Sequence, residues 1–283
     1  MHTPNLDIDS EFDKMLNRVR LGEHFSFSRF GDGELHVIKN GKFKCTQWTL
    51  DGNEKENTLF RDAMLHSLTY DRSNYFIGLP CSCREDSDQF RDYIFSNFKL
   101  NASHMTFSAL FVNAMYRRLQ KELIPVLKKH PIALVANDKS NIEHFKKLGF
   151  KLKMFFPVPN NAWKMHQQIV TQVLDEIKIH NTKNHIFLIS AGPVANTLIP
   201  ILHSAHPENT YIDIGSSLDQ QLGLPKGTRN YLQPHGWKKL ARCIWHRPIY
   251  RNQITCSSIG KSKTYRAYLK LRALLTTIIE NMY

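Results

Sequence analysis

The chain has 283 residues, 42% of them hydrophobic, which suffices for one large α/β domain or two small ones and predicts a folded, soluble protein. Its formal net charge of +13 is concentrated at one end: from Gln220 to Ile279 there are twelve Lys or Arg and no Asp or Glu, so a nearly neutral body carries a basic appendage. The first residues are polar and partly acidic, and the longest apolar stretch is broken by Ser190, Gly192, Pro193, Asn196 and Pro200, so neither a signal peptide nor a membrane span is expected.

In chain order, residues 24–28 alternate polar and apolar side chains and predict a half-buried strand over 25–29. A helix over 54–69 puts Leu59, Phe60, Ala63, Met64 and Leu68 on one face, and a strand over 75–79 ends at Pro80. A helix near 85–98, a strand over 105–111 and a helix over 113–129 follow, the last kinked or shortened by Pro125. Then come strand 132–136, helix 142–148, strand 151–156, helix 162–179, strand 185–190, helix 194–203 and strand 211–214. Strands separated by helical crossovers predict an α/β, Rossmann-like, mostly parallel sheet flanked by helices. The expected organisation is a domain over 1–221 and a basic segment over 222–283. That segment ends in 265–283, where Tyr268, Leu269, Leu271, Leu274, Leu275, Ile278 and Ile279 recur at near-helical spacing, as a helix docked on the core or one lying on a membrane surface.

The run Arg29-Phe30-Gly31-Asp32-Gly33-Glu34 carries most of the chemistry. In extended geometry Asp32 and Glu34 project to the same side and offer hard oxygen ligands to Mg²⁺ or Mn²⁺, while Gly31 and Gly33 let the backbone turn towards a ligand. A cation there grips a diphosphate, and Arg29 adds a fork of donors to the same phosphates. The plainer alternative is an ordinary Gly-Asp-Gly turn with Glu34 as an acidic residue in the first turn of a helix.

Three later strand ends add to it. Ser190-Ala191-Gly192-Pro193 opens a helix whose first amides favour phosphate, or is simply a strand-to-helix turn. Asp213-Ile214-Gly215 offers a carboxylate to a ribose, a metal or a sugar hydroxyl, or caps a local turn. Asn161 before Ala162-Trp163 either caps the next helix or reads a base or sugar, and Trp163 is either a stacking face or a core residue. The five cysteines, with Cys81 and Cys83 the only close pair, read as reduced thiols of a cytoplasmic protein. No Gly-x-Ser-x-Gly, Walker-type or Gly-x-Gly-x-x-Gly motif occurs, which removes support from acyl-hydrolase, P-loop and dinucleotide functions.

Taken in order, these four stretches resemble the GT-D-type bacterial glycosyltransferases, a family formerly known as a domain of unknown function. Arg29 to Glu34 match its Arg-x-Gly-Asp-Gly-Glu element at every fixed position. Asn161-Ala162-Trp163, Ser190 to Pro193 and Asp213-Ile214-Gly215 resemble its later elements. The chain departs from the pattern at Val158, where the family has proline, and at Ser216, where it usually has histidine. The resemblance implies a Rossmann-like transferase using a nucleotide sugar and a divalent metal, with the Asp32 and Glu34 pair required.

The expectation is therefore a metal-dependent glycosyltransferase. Asp32 and Glu34 hold Mn²⁺ or Mg²⁺, Arg29 neutralises the leaving diphosphate, and Asn161, Ser190, Gly192, Pro193, Asp213 and Gly215 seat the nucleotide. Asp213 or Asp219 orients the sugar or acts as base. The expected acceptor is a surface-polysaccharide glycan or lipid-linked glycoconjugate, and the basic segment suits the anionic inner face of the cell membrane. Two alternatives remain open: a nucleic-acid-binding protein built on the basic, aromatic-interleaved segment, the less favoured partner, and a metal-dependent phosphoester hydrolase.

Overall fold

The computed structural model describes residues 7–39, 41, 43–44, 49–50, 54–80, 85–112, 115–225, 271 and 275. The basic segment beyond Pro225, apart from Leu271 and Leu275 of the amphipathic 265–283 run, and all five cysteines lie outside the described residues. So do the side chains of Asp32 and of most of the first turn of the helix at 85.

Helix α1 (Ile8–Leu21) starts the fold, followed by β1 (Ser26–Arg29) and the short α2 (Asp32–Ile38). A two-stranded antiparallel hairpin, β2 (Phe43–Lys44) and β3 (Thr49–Leu50), precedes α3 (Glu54–Thr69), β4 (Tyr75–Leu79), α4 (Glu85–Asn97) and β5 (Met105–Phe107). A continuous helical stretch then runs through α5 (Tyr116–Arg118), a π-helical turn (Leu119–Leu123) and α6 (Ile124–Leu127). The chain continues with β6 (Pro131–Asn137), α7 (Ile142–Lys147), β7 (Lys151–Val158), α8 (His166–Ile179), β8 (Ile186–Ser190), α9 (Val194–Ala205) and β9 (Thr210–Asp213).

Seven strands form one sheet in the order β5-β4-β1-β9-β8-β6-β7, and every neighbouring pair is parallel. Alternate residues of each strand feed two cores. Phe27, Leu134, Leu188 and Ile212 pack with α1, α5, α6 and α7 on one face. Val135, Phe187, Ile189 and Tyr211 pack with α2, α3, α4, α8 and α9 on the other. Burial on both faces explains why β6 and β8 read as unbroken apolar runs. Among the described residues no helix is long and apolar enough to cross a membrane.

The expected elements that differ do so for local reasons. The strand begun at Met105 stops at Phe107, where Leu110 and Val112 donate backbone bonds to Phe107 and Ala109 and turn the chain. The single helix expected over 113–129 contains the wide π turn immediately before Pro125, whose missing N–H and bulky ring prevent a regular α turn there. Neither α1 nor the β2–β3 hairpin was expected. The body also continues past residue 221: Leu222 is fully buried in the first core and its carbonyl takes the Asn141 N–H at 2.8 Å.

Candidate active site

A wholly parallel sheet brings all its carboxyl ends to one edge, and this strand order makes the ends of β1, β9, β8, β6 and β7 consecutive neighbours. Four stretches distant in sequence therefore lie along that one edge: Arg29 to Glu34 after β1, Asp213 to Gly215 after β9, Ser190 to Pro193 after β8, and Asn161 after β7.

The opening run does not continue in extended form. Gly31 caps α2, and Asp32 and Glu34 occupy its first turn, so their backbone positions two apart do not face the same side as an extended strand would have them. Helix formation wins because Glu34 reaches back and its Oε2 accepts the Gly31 N–H at 2.7 Å, satisfying one of the amides a helix start leaves unpaired. Glu34 therefore lies in the first turn of a helix, the position the plainer alternative gave it. An added Cβ at Gly31 would meet that oxygen at 3.1 Å, and Gly33 is buried.

Arg29 is held at several points. Its Nε donates to the Ser108 carbonyl at 2.7 Å, bridging across β4 to the turn after β5. Its Nη1 lies against Gly215, where the backbone has φ +52° and a Cβ would collide with the guanidinium. Its backbone carbonyl accepts from Asn196 Nδ2 at 2.7 Å. Asp213 is buried beside it: its Oδ1 accepts the Gly215 N–H at 3.0 Å. Burial pushes the Asp213 carboxyl up to about 6, and the Arg29 guanidinium and the Gly215 and Arg29 backbone amides oppose the shift.

The remaining expected residues are less available to a ligand. Asn161 has φ +55°, a left-handed conformation that Asn tolerates, and makes no cap with its side chain. Its Oδ1 instead accepts the Thr49 N–H at 2.7 Å and ties the hairpin to the turn after β7. Trp163 is sandwiched, stacked on Phe60 at 4.2 Å and tilted against His166 at 4.7 Å, so the core alternative holds for its ring. At the start of α9, Gly192 adopts φ +57° after Ser190, and the Gly192 and Pro193 carbonyls take the Ala195 and Asn196 amides at 3.0 and 3.2 Å. Two amides expected to face phosphate are therefore engaged within the turn. Asp219, after the 3-10 turn Gly215–Leu218, is buried, and its carbonyl accepts from Leu224.

Two contributors were missed. Ser108 acts through its main chain, which no side-chain pattern announces. Asn196 did carry a signal: it is an amide in the first turn of a mostly apolar helix, and it is fully buried. For metal chemistry, Asp32 and Glu34 are the right donor class at this edge. Among the described residues no three His, Cys, Asp or Glu gather into a metal-ligand cluster, at this edge or elsewhere.

Residues 6–221 match the family model of the GT-D fold-like domain. The chain belongs to the GT-D fold-like family. Two solved structures are similar to it. One is a selenomethionine-substituted domain of unknown function 1792, with 16% identity, a TM-score of 0.54, and coverage of 75% of this chain and 81% of that one. The other is a domain of unknown function 1792 described as having a distinct glycosyltransferase fold, with 18% identity, a TM-score of 0.49 and the same coverage. At such identity the first likeness extends to the fold alone. No curated protein matches. The GT-D fold-like match spans all four strand-end stretches, from Arg29 to Gly215, and stops short of the basic segment.

Proposed function

We propose that this GT-D fold-like protein is a glycosyltransferase that moves a sugar from a nucleotide-diphosphate donor to a glycan or lipid-linked acceptor, with a divalent cation held by Asp32 and Glu34. The observation that carries the reading is Arg29. A guanidinium fixed by the Ser108 carbonyl at the carboxyl edge of the sheet, two residues before a Gly-Asp-Gly-Glu run, is a preorganised anion-binding group. Its planar fork matches a diphosphate, and its position is set by a strand and not by a free loop. As the bond between sugar and diphosphate breaks, Arg29 stabilises the charge gathering on the leaving group. A bound Mg²⁺ or Mn²⁺ supplies further neutralisation of that charge.

Glu34 begins α2 and orders the Gly31 amide, so the carboxylate run is built into the fold at the strand end. Glu34→Gln keeps an acceptor for Gly31 and removes only the charge. A screen of nucleotide sugars for Mn²⁺-dependent thermal stabilisation and donor hydrolysis tests the class and the donor together. Arg29→Ala, Asp32→Asn and Glu34→Gln are each expected to lower turnover by roughly a hundredfold or more, the two carboxylate variants with the melting temperature nearly unchanged. Full activity in Asp32→Asn or Glu34→Gln would remove the metal role. The twelve cations between Gln220 and Ile279 support a peripheral association with anionic membrane, where a lipid-linked acceptor resides.

A further inference from the structure

The two sides of β1 end differently. Against β4 the register runs to the last residue, Arg29 opposite Gly78, and Phe30 donates to the Gly78 carbonyl at 2.8 Å. Against β9 it covers only Ser26 opposite Tyr211 and Phe27 opposite Ile212. Strand β9 stays with β8 to its end, Ile189 opposite Asp213, and Ile214 still donates to Ile189 at 3.0 Å. The two strands therefore part at the carboxyl edge, two residues before Arg29. Alternate residues of a strand present their backbone groups to opposite neighbours, so with Phe30 bonded to β4 the Arg29 N–H and C=O face the opened side.

Side chains close that gap. Asn196, in the first turn of α9, donates its Nδ2 to the Arg29 carbonyl at 2.7 Å. The Asp213 carboxylate accepts the Gly215 N–H at 3.0 Å and is steadied by the Arg29 backbone amide and guanidinium. Packing alone does not account for the amide. Asn196 is fully buried and no described residue pairs with its Oδ1, although an apolar side chain of that size would leave no acceptor unsatisfied. Gly215 belongs to the same arrangement, since only a residue without a Cβ leaves the guanidinium its place.

We propose that Asp213 and Asn196 are positioning residues for Arg29. They replace the missing β1–β9 ladder bonds and so determine where the guanidinium sits and where the Gly31 to Glu34 turn begins. Neither needs to touch the substrate. The inference rests on Arg29 as the diphosphate-binding group, and it assigns Asp213 to holding the protein's own backbone where the sequence suggested a ligand contact.

The test has two arms on the full chain. In ¹⁵N–¹H spectra the Arg29 Nε–H, assigned by its loss in Arg29→Lys, is expected to exchange slowly because it is bonded to Ser108. It should exchange roughly tenfold faster in Asn196→Leu and in the nearly isosteric Asp213→Asn. Unchanged protection in both variants overturns the proposal, whatever reaction the protein performs. In the activity arm each variant should lower kcat by roughly a hundredfold with KM little altered, the effect of a misplaced catalytic group. The same substitutions should cost less than about twofold more in an Arg29→Ala background. Equal losses in both backgrounds mean the residues act elsewhere and overturn the proposal. A wild-type protein that turns over no nucleotide sugar refutes the proposed activity, and the exchange arm then decides the positioning role alone.

Discussion

One added carbon at Gly215 would meet the Arg29 guanidinium, and the residue also holds φ +52°, where a side chain is strained. Gly215→Ala is therefore expected to lose about 1 kcal/mol or more in denaturant unfolding. It should also lower donor turnover as an Arg29 variant does, because Arg29 is displaced. At the same scale Asp213 makes a signed prediction about pH. Its folded carboxyl titrates near 6 against an ordinary 3.8, so between those values the folded chain holds a proton that the unfolded chain releases. Its contribution to stability is complete below the ordinary value and is lost as pH rises through about 6. The charged and titratable groups that face it are the Arg29 guanidinium, which lowers the shift, and Tyr75, whose hydroxyl burial and the Asp213 charge push upward.

At the scale of elements, most helices and strands after residue 54 were legible because they repeat their own period, the exceptions being the strand cut short at Phe107 and the helix interrupted before Pro125, while α1 was passed over despite complete signals. Asp7 caps it by accepting the Ser10 amide at 2.9 Å, and Gly22 ends it in the left-handed conformation. Ile8, Phe12, Met15, Leu16 and Val19 form its buried face. The polar composition of the first residues concealed that stripe. Arg118 then joins α1 to α5 through Asp9 at 3.0 Å and Asp13 at 2.6 Å, a link between elements that periodicity cannot reveal. Asp7→Ala should cost about 1 kcal/mol. Phe12→Ala should cost about 3–5 kcal/mol, because it empties a core position. Both are read from chemical denaturation, and a negligible cost for Phe12→Ala would mean that α1 does not pack as described.

Over the whole molecule, one buried and one half-buried histidine oppose Asp213 in acid. Burial pushes His166 and His203 down to about 4 from 6.5, so each contributes stability at neutral pH that is lost as pH falls through that window. Two such groups outweigh one carboxyl of opposite sign. The unfolding midpoint is therefore expected to fall from pH 7 to pH 4.5, and to fall further in Asp213→Asn, which lacks the compensating group. An equal pH dependence in both proteins would contradict the buried, raised carboxyl. The charge distribution gives a second test at this scale: a chain ending at Pro225 should lose salt-sensitive binding to anionic vesicles. Undiminished binding would remove the membrane role of the basic segment.

By itself the sequence determined the alternation of strands and helices, hence the parallel α/β class, and it supplied the strand-end residues whose order resembles the GT-D family. Those properties are local or ordered along the chain, and composition and period carry them. Only the tertiary structure decided that β9 inserts beside β1, that the two strands part before Arg29, and that Asp213 and Asn196 fill the gap. It also turned Asp32 and Glu34 into a helix start and engaged Asn161 with Thr49. These outcomes depend on which distant backbone groups are left without a partner once the sheet has formed, and no residue's own neighbours in sequence record that.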